Sequence, residues 1–108
     1  MKEPLKSVSE VIAQANDKFY EVNNNIDTLV GIIDKALRKQ GMNADAVTID
    51  CPALDKKLVF LLHDSKADSV DIAQGNKAGD IFSSASEPLA ELTVNKVVAI
   101  MNSYFKPL

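Results

Sequence analysis

Apolar residues recur at alternating steps of three and four along the first third of the chain: Leu5, Val8, Ile12, Ala15, Phe19, Val22, Ile26, Leu29, Ile33 and Ala36. That spacing holds one stripe on one helix face and matches a heptad seam of more than four repeats. Val11, Val30, Ile32 and Leu37 widen the stripe, so its second half reads as more deeply buried than a two-stranded coiled coil requires. End signals agree with a helix. Pro4 suits a first turn, and Ser7 with Glu10 has capping-box spacing. Lys35, Arg38 and Lys39 crowd a last turn, and Gly41 suits the left-handed position beyond it. Asn23-Asn24-Asn25 oppose an unbroken rod, because asparagine caps helices better than it continues them. The step of four from Val22 to Ile26 nevertheless keeps the phase, so the expectation is one long helix, bent if anything, rather than a helical hairpin.

The pattern then changes period. Ala46 to Cys51 alternates, is rich in β-branched residues and stops at Pro52; Lys57 to His63 is a near-continuous apolar run suited to a central strand. Val70 to Gln74 alternates again after a polar turn at residues 64–68, and Gly75-Asn76-Lys77-Ala78-Gly79 forms a glycine-bracketed turn before a short return strand over Asp80 to Ser84. A second helix is expected after Ser84 or Ser86, with Pro88 in its first turn, a stripe of Val94, Val97, Val98, Met101, Tyr104 and Phe105, and Pro107 at its end. The order is α-β-β-β-(β)-α: an α+β fold with a long N-terminal helix, a three- to four-stranded antiparallel meander and a C-terminal helix, as a single domain over residues 1–108.

Composition narrows the function classes. Of 108 residues 46% are apolar and 25% charged, an ordinary globular balance. The net charge is −3, and residues 1–41 carry six charges of each sign, so the excess is confined to residues 42–108. A mildly acidic chain makes no field for phosphate, which disfavours nucleic acid; a weak binder using Lys35, Arg38 and Lys39 is the residual reading. The longest apolar runs, such as Leu58–Leu62 and Val97–Met101, are far too short for a membrane span. A lone cysteine, Cys51, forms no intramolecular disulfide and fits a reducing compartment, and no signal-type run follows the N-terminus, so a cytoplasmic protein is expected.

Candidate chemistry is sparse. His63-Asp64 offers the only histidine with an adjacent carboxylate, but neighbours on a strand point to opposite faces. Cys51 lies between Asp50 and Pro52, where the local charge raises rather than lowers a thiol pKa; its plain reading is a small buried hydrophobe. Asp64, Asp68, Asp71 and Asp80 lack the spacing and central glycine of a calcium loop, and the glycine-bracketed turn lacks Walker spacing. No cofactor or metal is expected. The heptad stripe is the one feature with a competing non-structural reading. A helix of more than 30 residues would be about 45–50 Å long, against an expected radius of gyration of about 13 Å, so it should overhang the body and meet a second copy. The expectation is a non-catalytic, homodimeric binding, adaptor or regulatory protein with an unknown protein partner, docked on the sheet face or an exposed edge strand by strand addition or by receiving a helix. Val8, Ile12, Ala15, Phe19, Val22 and Ile26 are its interface residues. The alternative is a small enzyme or ligand-binding domain using Cys51, His63 and Asp64.

Overall fold

The computed structural model describes residues 3–106. Helix α1 (Glu3–Val22) is followed by strand β1 (Leu29–Ile33), the one-turn helix α2 (Ala36–Lys39), strands β2 (Ala44–Cys51), β3 (Lys56–His63), β4 (Ser69–Gly75) and β5 (Ile81–Pro88), and helix α3 (Val94–Phe105). The five strands form one antiparallel meander in chain order, and consecutive strands are neighbours throughout. The α+β arrangement is as the pattern implies, with one strand more than the three or four expected.

The extra strand comes from the part of the stripe expected in the long helix, which ends at Val22 instead of running on to Ala36. Helix α1 stops at Val22, where the Asn23 backbone N–H and side-chain Nδ2 both donate to the Phe19 carbonyl, at 2.8 and 3.1 Å. Asparagine thus closes the helix by competing for its last carbonyls. Leu29-Val30-Gly31-Ile32-Ile33 then forms the β1 edge. Its β-branched residues favour a pleated surface, and a short apolar run carries no period that separates strand from helix. A 20-residue helix is about 30 Å long and fits within the 37 Å longest dimension of the molecule, whose radius of gyration is 13.2 Å. No overhanging rod exists among the described residues.

The two long helices lie together on one face of the sheet. Leu5, Val8, Ile12, Ala15 and Phe19 of α1 and Val97, Met101 and Phe105 of α3 close over Val47, Ile49, Cys51, Leu58, Phe60, Val70 and Ile72. Phe19 meets Phe105 edge to face at 6.2 Å, a favoured aromatic geometry that joins the helices. Four of the six residues assigned to a dimer interface (Val8, Ile12, Ala15 and Phe19) are therefore at most 3% exposed within one chain. Ile26 is partly buried against the same core, and Val22 alone of the six is open.

Several ends also moved. Ser7 lies inside α1 rather than capping it. Ser84, Ser86 and Pro88 belong to β5, and α3 starts at Val94 with Thr93 as its cap, the Thr93 hydroxyl accepting from the Lys96 N–H at 3.1 Å. Lys35, Arg38 and Lys39 flank or occupy α2 rather than a long helix, with Gly41 beyond it at φ +89°, the left-handed conformation its position implied. No helix among the described residues is long and apolar enough to cross a membrane.

Candidate functional site

The structure does not bring the candidate catalytic residues together. Cys51 ends β2 beside Lys56, while His63 ends β3 beside Ala44, at the opposite end of the same strand pair. Seven residues of extended chain separate the two rows, about 23 Å. The faces differ as well: Cys51 is fully buried in the helix-covered core, and His63 shares the other face with Val59 and Leu61, by the alternation of β3. Nor is Asp64 the partner of His63. His63 Nε2 lies 3.1 Å from Asp71 Oδ2 on β4, whereas Asp64 is held by Arg38.

Arg38 is the most heavily bonded side chain described. Its Nε and Nη2 donate to Asp45 at 2.9 Å each, and its Nη1 and Nη2 donate to Asp64 at 2.8 and 2.9 Å. Two carboxylates thus take the guanidinium fork in paired geometry, tying α2 to β2 and to the β3–β4 turn. The hydrogen bonds to Asp64, then those to Asp45, hold Arg38 charged even more firmly than usual. Its donors are engaged in the fold, so the basic run keeps only Lys35 and Lys39 open for phosphate. Replacing Arg38 with methionine strands the Asp45 carboxylate, whose side chain is 8% exposed, without a donor. The variant should unfold at lower urea concentration with an unchanged slope, and Asp64→Asn, at a 46% exposed side chain, should lose less. Equal losses would show that the Asp45 arm is not the stronger one.

A cavity of about 260 Å³ opens beside this cluster, lined by Pro4, Leu5, Asp45, Leu62, His63 and Asp64 among others. Lys66 and Ser69 complete its polar lining, and among the described residues no group of three or more His, Cys, Asp or Glu is placed to hold a metal. At the other end of the sheet the glycine-bracketed turn is a hairpin. The Asn76 N–H donates to the Asp80 carbonyl at 3.0 Å, and the Asp80 N–H donates to Asn76 Oδ1 at 3.0 Å. Nearby, the Tyr104 hydroxyl donates to the Gly75 carbonyl at 2.5 Å. Burial, with the charge of Asp55 second, pushes the Tyr104 phenol above its ordinary pKa.

The sheet face away from the helices is the surface for which the sequence pattern names no residues. Register aligns its rows across the strands: Ile33, Ala46, Leu61, Asp71 and Ser86 form one, and Gly31, Thr48, Val59, Ala73 and Ser84 the next. The face is graded. From β1 to β3 it is apolar, with the exposed or half-buried Leu29, Ile33, Val59 and Leu61 around the buried Ala46 and Thr48; across β4 and β5 the rows carry Asp71, Ala73, Ser84 and Ser86. The only sequence signal was the alternation in β2 and β4, which was blurred in β3 because Leu58 to Leu62 is apolar on both faces. The sheet edges differ over part of their length. β5 starts with the exposed Ile81 and Phe82, at 53% and 67% exposure, and continues with Ser83, Ser84, Ser86 and Glu87, whereas β1 is apolar throughout, with Leu29, Val30 and Ile32 at 62%, 37% and 43% exposure. No family model matches the chain, and no curated protein or solved structure is significantly similar to it.

Proposed function

We propose that this chain is a non-catalytic, homodimeric protein-binding module whose docking surface is the uncovered face of the sheet, and that it receives an amphipathic helix of another protein there. The supporting observation is the graded face: an apolar strip over β1, β2 and β3 with a polar border on β4 and β5. Three strands span two interstrand gaps, about 10 Å, which matches the width of one helix, about 10–12 Å with side chains. Ala46 and Thr48 on the middle strand are buried, so the contact would fall on Leu29, Ile33, Val59 and Leu61, and the Lys57–Asp50 pair borders the strip with both signs of charge. A helix docked by its apolar face is an established recognition mode. The same reading places the protein in the cytoplasm, on the unpaired Cys51.

A labelled amphipathic leucine-lysine peptide tests the surface. Saturable binding by the native chain is expected, with at least a tenfold loss in Leu61→Lys, since burying an unpaired ammonium under an apolar helix face costs more than about 1.4 kcal/mol. Binding that ignores Leu61→Lys, or no saturable binding, would overturn the proposal.

A further inference from the structure

We propose that two copies of this chain pair through their β1 edges, antiparallel and centred on Gly31, joining two five-stranded sheets into one of ten. The inference rests on the dimeric part of the reading above and supplies its interface. β1 is an edge strand with β2 on one side only, and none of the turn, loop or cap hydrogen bonds of the described backbone involves residues 29–33. Exposed apolar edges are templates for strand addition, and proteins that must avoid this place charge, proline or polar residues along them. β5 follows its exposed Ile81 and Phe82 with serines, Glu87 and Pro88, whereas β1 carries no charged, polar or proline residue along its length.

The segment is self-complementary. With Gly31 facing Gly31 across a two-fold axis, Leu29 lies opposite Ile33 of the second copy and Val30 opposite Ile32, so every apolar residue of the strand meets another. In the same register Asp27 flanks Lys35 of the second copy at both ends, and neither residue is in an ion pair within the described chain. Slipping the pairing by two residues sets Asp34 against Val30 and Lys35 against Leu29, or Asp27 against Ile33, and buries charge beside apolar groups. A closed two-fold is the commonest assembly of identical chains. Tyr20 adds to the contact from the helix side. It is 47% exposed and one turn from Asn16, which accepts from the Thr28 hydroxyl just ahead of β1. Such a dimer also brings both apolar strips to its centre and leaves the serine-rich β5 strands at its outer rims.

Light scattering of the full chain should give twice the 11.7 kDa chain mass, and Ile32→Lys should give the single mass with the urea midpoint that the native chain shows when diluted to monomer, because Ile32 is half-exposed in the fold and only the association is lost. Asp27→Lys and Lys35→Glu alone should each weaken association about fivefold, and the double variant, which restores opposite charges, should regain the native affinity. A monomeric native chain, a dimer indifferent to Ile32→Lys, or a double variant weaker than both singles would each overturn the proposal. A monomer that still binds the leucine-lysine peptide would remove this interface and leave the docking surface standing; a β1 dimer that binds no peptide would do the reverse.

Discussion

Phe19→Ala should cost about 3–5 kcal/mol of folding free energy, the usual result of truncating a fully buried phenylalanine. Phe19 is 1% exposed and packs edge to face on Phe105, so the substitution empties the seam between α1 and α3 and removes an aromatic contact. Stability of a domain this size is about 5–15 kcal/mol, and the loss would consume a large share of it. Urea denaturation read by far-ultraviolet circular dichroism measures the change. The same loss is expected in the Ile32→Lys background, because Phe19 lies in the core of each chain. If Phe19 instead belonged to an interface between copies, Phe19→Ala would dissociate the protein and leave the midpoint of the monomeric background untouched.

Gly75→Ala is the second large effect, about 2–3 kcal/mol. A Cβ at Gly75 would sit 2.2 Å from the Asp80 carbonyl oxygen and 3.2 Å from its carbon. These are backbone atoms at the base of the β4–β5 hairpin, where the register shifts between Gln74 and Gly75, and they cannot step aside as a side-chain end can. Relief requires opening the hairpin, which also strains the Tyr104 bond to the Gly75 carbonyl. At Gly79, φ +98° with nothing within 4 Å of an added Cβ, alanine should cost less, about 1 kcal/mol. Amide hydrogen exchange in β4 and β5 should rise in Gly75→Ala and stay near native in Gly79→Ala. The reverse order would show that backbone conformation outweighs the close approach here.

The shared phase of the first third explains why the long-helix expectation and the structure part company. Leu5 to Phe19 and Leu29 to Ile33 lie in phase in the sequence, yet they occupy a helix and a strand. Phase over a four-residue step is weak information: Ile26, Leu29 and Ile33 satisfy a heptad and β1 alternation equally well. The helix ends where the Asn23 side chain donates to the same Phe19 carbonyl that takes its backbone N–H. Strand β5 was shortened in the reading for a related reason. Serines rank low as strand formers and high as helix caps, so Ser84 and Ser86 looked like the start of α3, and only pairing with β4 makes them strand.

What the chain alone determined is local: the buried stripe of α1, the meander of β2, β3 and β4, the hairpin at residues 75–79, the left-handed Gly41, and a Cys51 that behaves as a small hydrophobe. Each follows from side-chain period, turn chemistry or burial preference within a few residues. Tertiary structure alone decided what meets what across the chain. It put Cys51 and His63 at opposite ends and faces of a strand pair, gave Arg38 to two aspartates 7 and 26 residues away, and left one sheet face and the β1 edge uncovered. Those outcomes depend on register and on which face two helices choose to cover, and neither is written in any short stretch of residues.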